Sequence, residues 1–324
     1  MRKRSLDMVH ELAKRDPRVV FIGSDLSPGV LPEMKKAFPD RYYMEGISEG
    51  NIIGVAAGMA MEGYIPYVNT IATFITRRCY EQVAVDLCLH DLPVRLIGNG
   101  GGYVYAPLGP THEAIEDLAI MRALPNMTVT AVCDADEMTR LMNASLEWPH
   151  PLYIRLAKGG DPIISKQHRD FAIGKAIDMI DECTGASDVL LVTTGIATTQ
   201  ALEAAKQLAQ TGLRCRLLHV HTVKPLDIDV ICDAAARTGV VVTAEEHSLV
   251  GGLGSAVLEA LADELNRQMP MVRRLGIPDR FADRYGSQAA LMKSFGLDAA
   301  SMVAAVTRAI GDLRSSVGPS RAAE

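Results

Sequence analysis

The chain has 324 residues, 48% of them hydrophobic and 22% charged, with a formal net charge of −6. That length suggests two domains, each large enough to bury a core. The acidic balance without a basic block excludes nucleic acid, and 5% aromatics give no stacking platform for single strands.

In chain order, Leu6, Met8, Val9 and Leu12 predict a helix over 5–15, which Asp16-Pro17 ends. The apolar run 18–23 reads as a buried parallel strand. Asp25 follows it, at a carboxyl strand end where ligands of open α/β sheets bind; on position alone a helix cap is the safer reading. A helix over 30–37 and a strand at 42–44 precede Gly46-Ile47-Ser48-Glu49-Gly50-Asn51. Ser48 is a predicted N-cap, and Glu49 opens a helix of small apolar residues running to Glu62. A carboxyl group kept from water at such a place can exchange a proton near neutrality. The expected series continues with strand 65–70, helix 73–90, strand 94–97, a glycine-rich loop from Gly98 to Gly102, helix 113–123, strand 127–132, helix 134–146 and strand 152–156.

After a stretch without long periodicity, a second set of elements begins: strand 189–195, helix 198–211, strand 214–220, another helix, strand 240–243, helix 255–267, a strand near 271–275 and two final helices. Alternating strands and helices predict mostly parallel sheets covered on both faces. The expected architecture is α/β, with two consecutive three-layer domains at 1–165 and 187–314, a linker at 166–186 and a flexible tail at 315–324. No apolar run approaches membrane-spanning length, so no membrane role is expected. The six cysteines lack paired metal spacing and read as reduced thiols of a cytoplasmic protein.

Candidate chemistry is sparse. The Gly98–Gly102 loop lacks the dinucleotide fingerprint, and Gly252-Leu253-Gly254 has Val257 where a third glycine is required. His112 lies in a loop after a strand end, suited to proton transfer or oxyanion contact; it could equally sit idle in a helical turn capped by Thr111. His219 and His221 point the same way from a strand, but no third metal ligand is near in sequence.

Taken together the motifs have a family look. Gly46–Asn51 with Ala56-Ala57-Gly58-Met59-Ala60 resembles the glutamate segment of thiamine-diphosphate enzymes of the transketolase kind. Gly109-Pro110-Thr111-His112, Ile115–Ala119 and Arg122–Asn126 resemble that family's histidine loop. Gly23-Ser24-Asp25-Leu26, Val223–Asp227 and Glu245–Gly254 extend the likeness over residues 5–312. The resemblance implies the pyrimidine-binding fold followed by the transketolase C-terminal fold. It gives Glu49 the aminopyrimidine ring nitrogen of thiamine diphosphate, Phe74 a stacking contact on that ring, and Asp25 a place near the cofactor. His112 would contact substrate and intermediate, and Arg155 the substrate phosphate.

Two departures shape the expectation. The Gly-Asp-Gly…Asn motif that holds magnesium ion is missing from this sequence, so the Mg2+ ligands are expected on a partner carrying the diphosphate-binding domain. Leu108 stands where transketolases usually have an aspartate, and Gly100 where a phosphate-loop histidine falls, which thins the sugar-phosphate cradle. The expected protein is the C-terminal subunit of a split transketolase-like enzyme that transfers a two-carbon ketol unit between sugar substrates. It would be inactive alone and form a homodimeric core within a heterotetramer. The alternatives are the beta subunit of a 2-oxo-acid dehydrogenase, a deoxyxylulose-phosphate-synthase-like enzyme, or a non-catalytic scaffold.

Overall fold

The computed structural model describes residues 1–324 except 25, 27, 28, 169, 181–186, 266–268 and 318–324. Among the described residues the strands are β1 (Val19–Gly23), β2 (Tyr42–Met44), β3 (Ile65–Ile71), β4 (Arg95–Asn99), β5 (Thr128–Ala131), β6 (Leu152–Leu156), β7 (Ile177–Asp178), β8 (Val189–Thr193), β9 (Cys215–His219), β10 (Thr222–Lys224), β11 (Val240–Ser248) and β12 (Met271–Ile277). The helices are α1 (Arg2–Arg15), α2 (Pro32–Ala37), α3 (Glu49–Met61), α4 (Ala72–Arg77), α5 (Tyr80–Gln82), α6 (Asp117–Ala123), α7 (Ala135–Ser145), α8 (Ala197–Gln210), α9 (Ile228–Ala235), α10 (Leu253–Leu265), α11 (Gln288–Ser294) and α12 (Ala299–Val317).

The described strands form a seven-stranded sheet in the order β10-β5-β6-β4-β3-β1-β2 and a five-stranded sheet in the order β12-β11-β8-β9-β7. Every residue of β1, β3, β4, β5, β6 and β8 is buried. Continuous apolar runs are what a parallel strand covered on both faces requires. Two apolar clusters coat the faces of the first sheet and two those of the second. A fifth, with Tyr103, Ile115, Ile277 and Leu291, joins the two halves.

The first sheet reverses its strand order around β1, which pairs with β2 on one side and β3 on the other. The carboxyl ends of β1, β2, β3 and β4 therefore open on one crevice, the usual ligand position of such sheets.

Four features depart from the sequence expectation. β10 leaves the second half and pairs antiparallel with β5, completing the first sheet. β7 lies inside the stretch read as a linker and pairs antiparallel with β9. The expected helix over 73–90 is broken at Cys79, whose φ of −126° is not helical. Beyond the short α5, a π-helical segment, Val83–Cys88, follows. Its wider turn brings Val83, Leu87 and Cys88 onto the core together. Finally, Gln288–Ser315 is apolar enough by length and composition to span a membrane. It is divided into α11 and α12 at Gly296, whose φ is 73°. The inner face of α12, with Met302, Val306 and Ala309, packs in the second half's core.

Helix ends are set locally. Asp134 caps α7 by accepting from the backbone N–H groups of Asp136 and Glu137. Ser48 holds the cap position of α3, but its hydroxyl donates to the Glu45 carbonyl and caps nothing. Of the six cysteines, those at 79, 88, 133, 215 and 232 are buried, while Cys183 lies outside the described residues.

Candidate functional site

Glu49 stands in the first turn of α3 with its side chain 4% exposed. Across the crevice, α4 presents Phe74, and Arg78 is the C-cap residue just past its end. The Arg78 guanidinium carbon lies 3.7 Å from the centre of the Phe74 ring. Its Nη1 donates to both Glu49 oxygens at 3.5 and 3.4 Å. The His112 ring also meets Phe74 edge-on, with centroids 5.2 Å apart. Glu49, Arg78, Phe74 and His112 thus form one continuous set, drawn from the loops after β2, β3 and β4. Asp25 lies outside the described residues.

His112 is not in a helical turn. Its N–H donates to the Gly109 carbonyl, its Nδ1 pairs with the Thr111 hydroxyl at 2.9 Å, and α6 begins only at Asp117. The turn depends on Gly109 at φ 78°, where any Cβ would strike the Tyr285 ring from the second half. Leu108, 52% exposed, sits beside it. Arg77 anchors the same loop through Glu116 and the Glu113 carbonyl.

Arg155 is held elsewhere. Its guanidinium is buried, with Nε donating to Asp117 Oδ2 at 2.9 Å and Nη2 to the carbonyls of Ala114 and Glu246. Tyr153 donates to the same Asp117 oxygen at 2.7 Å. The sequence reading assigned Arg155 to a substrate phosphate. The structure instead commits Nε to Asp117, 38 residues away in the same half, while Nη2 reaches the Glu246 carbonyl and locks the two halves together.

The glycine loop serves this lock. Gly102 takes φ 64°, and a Cβ there would strike the Glu246 carboxyl group. Glu246 accepts from the Tyr103 N–H at 2.9 Å and from the Gln288 amide. Burial pushes its pKa up to about 7 from 4.5, against the opposing pull of Arg155. The native protein therefore keeps this proton in the window from 4.5 to about 7, where the unfolded chain has released it. Stability due to this group is lost as pH rises through that window. Glu246→Gln is expected to match wild type at the low end and to exceed it above about pH 7 in denaturant titrations. A difference that does not change with pH would contradict this.

Two residues passed over in the sequence stand in this region. Arg78 is one; its spacing of four from Phe74 on a predicted helix was the available signal. Glu113 is the other. Its carboxyl group is buried beside His112 with no hydrogen-bond partner among the described residues, and burial raises its pKa. His219 and His221 lie between the halves. His219 Nε2 pairs with Glu137 Oε2 at 2.9 Å, and Nδ1 with the Thr198 hydroxyl. The ligand atoms of Cys133, Glu137 and His219 fall within 4.8 Å of one another. The same Glu137 oxygen also accepts the Cys133 N–H, so Glu137 and His219 fasten the two halves together. Glu245, in turn, accepts from the N–H groups of Leu253 and Gly254, which makes the Gly251–Gly254 run a helix entry.

Comparison with known proteins fits this arrangement. The transketolase pyrimidine-binding domain family matches residues 1–160 and the transketolase C-terminal domain family residues 181–302. The chain is 39% identical over 303 residues to 1-deoxy-D-xylulose-5-phosphate synthase 1 of Geobacter sulfurreducens, covering 92% of this chain but 46% of that protein. It thus spans about half the length of such synthases. It is 36% identical over 306 residues to the 6-deoxy-6-sulfo-D-fructose transketolase subunit SqwH of Clostridium sp. strain MSTE9, covering 94% and 92%. Among solved structures, one described as a split gene transketolase, inactive beta4 tetramer, aligns with a TM-score of 0.86 at 37% identity, covering 96% and 98%. With both domains matched in order and the crevice residues gathered at their strand ends, the chain belongs to the transketolase family and comprises its pyrimidine-binding and C-terminal domains.

Proposed function

We propose that this chain is the pyrimidine-side subunit of a two-chain, thiamine-diphosphate-dependent transketolase that moves a two-carbon ketol unit between a ketose and an aldose. The observation that carries this reading is the gathering of a buried carboxyl group, an aromatic face and a histidine in one crevice. The pyrimidine half of the cofactor suits them: Phe74 offers a ring face and Glu49 a carboxyl group 4% exposed beside it. Thiamine diphosphate, when bound, supplies the thiazolium carbon that carries the ketol unit. Glu49 would hydrogen-bond the aminopyrimidine nitrogen, Phe74 would stack on the ring, and His112 would exchange a proton with the substrate oxygen. Asp25, which the family resemblance puts near the cofactor, belongs to the same reading and lies outside the described residues.

Magnesium and the diphosphate are assigned to a partner subunit, because the residues of this chain match the pyrimidine-binding and C-terminal domain families. Coverage of more than nine-tenths of SqwH, against about half of the synthase, supports a separate partner chain. Two copies of this chain form the core of a heterotetramer. A cytoplasmic setting remains part of this reading, resting on the absence of paired cysteine spacing in the sequence.

A second reading, use of a 2-oxo acid as in deoxyxylulose phosphate synthesis, draws on the 39% identity to such an enzyme. The two part in one assay. The chain is mixed with a diphosphate-domain partner, thiamine diphosphate and magnesium ion, and offered either a ketose or pyruvate as donor. Transfer from the ketose without release of carbon dioxide supports the first reading, and decarboxylation of pyruvate the second.

A further inference from the structure

We propose that Arg78 is a built-in occupant of the cofactor's pyrimidine place, a flat cation that covers Phe74 and holds Glu49 until thiamine diphosphate displaces it. The proposal rests on the functional reading above.

An aminopyrimidine is recognised by two features, a planar face that stacks on an aromatic ring and nitrogen groups that meet a carboxyl. The Arg78 guanidinium presents both. It lies 3.7 Å from the Phe74 centroid, the spacing of one stacked layer. Its Nη1 meets both oxygens of Glu49 at 3.5 and 3.4 Å. One layer on that ring face leaves no room for a second, so guanidinium and pyrimidine exclude each other there.

The contact is also built to be broken. Both hydrogen bonds lie at the long limit of the range, where they are weak. The Arg78 side chain is 48% exposed while Glu49 is 4% exposed, so the guanidinium reaches in from solvent and has a way out. Arg77, next in sequence, is pinned by Glu116, and Arg155 by Asp117; among these three arginines Arg78 is the one without a short carboxylate partner. A site that must first release its own cation binds its ligand more weakly by the fraction of time it is open.

The test is calorimetric titration of thiamine diphosphate, with magnesium ion, into the assembled two-subunit complex. Arg78→Ala is expected to tighten binding about three- to tenfold, as loss of a half-exposed cation–π and ion-pair contact implies. Arg78→Lys, which keeps the charge but not the flat layer, should fall between. Thermal melts report whether each variant is folded, and if Arg78→Ala is not, the lysine variant alone must still tighten binding. Unchanged or weaker binding in a folded variant overturns the proposal. A wild-type complex that binds no cofactor overturns the functional reading beneath it, and a wild-type complex that binds while Arg78→Ala binds less tightly overturns the occupant alone.

Discussion

Glu49→Gln is expected to lower ketol transfer by the assembled complex about 10²- to 10⁴-fold, the usual worth of a positioned general acid or base. The replacement isolates the proton. Glutamine has the shape of glutamate, so α3 and its neighbours Ile52, Ile53 and Ala56 keep their packing. Its carbonyl oxygen can still accept from Arg78. What it cannot do is give up and regain a proton at the aminopyrimidine nitrogen. The check pairs the transfer rate with a thermal melt of the free chain. A variant that melts like wild type and loses activity places the defect in proton exchange, whereas transfer within a factor of about three of wild type would remove Glu49 from the mechanism.

Arg155→Met is expected to destabilise the free chain by about 3–5 kcal/mol, because it strands the Asp117 carboxylate in a buried position. The ion pair is almost fully enclosed, with side-chain exposures of 6% and 1%. Methionine also removes the donors now serving the Ala114 and Glu246 carbonyls. Denaturant midpoints read the loss. The double variant Arg155→Met with Asp117→Leu should recover much of it, since a buried pair replaced by apolar groups is often neutral. The same variant decides between two roles. A lock predicts lost stability, while the phosphate contact implied by family resemblance predicts intact stability with a raised KM for a phosphorylated substrate.

The elements that place the crevice were legible because their signals are local. The apolar runs of β1, β4, β6 and β8 and the glutamate at the start of α3 lie within a few residues of sequence. What escaped depends on distant partners. The pairing of β10 with β5 joins residues more than ninety positions apart, and nothing in Thr222–Lys224 signals an antiparallel edge. Asp117 holds Arg155 from 38 positions away. The break between Arg77 and Tyr80 was hidden because Ile75, Cys79 and Val83 keep helical spacing through it. The crevice residues Glu49, Phe74 and His112 could be named from motifs, but their contacts with one another, and the arginine between them, could not.

The central claim is that this chain holds half of a cofactor site. It is tested most directly by titrating thiamine diphosphate and magnesium ion into the chain alone and into its mixture with the diphosphate-domain partner. Saturable binding in the mixture and none in the chain alone is the predicted result. Tight binding to the chain alone would contradict it.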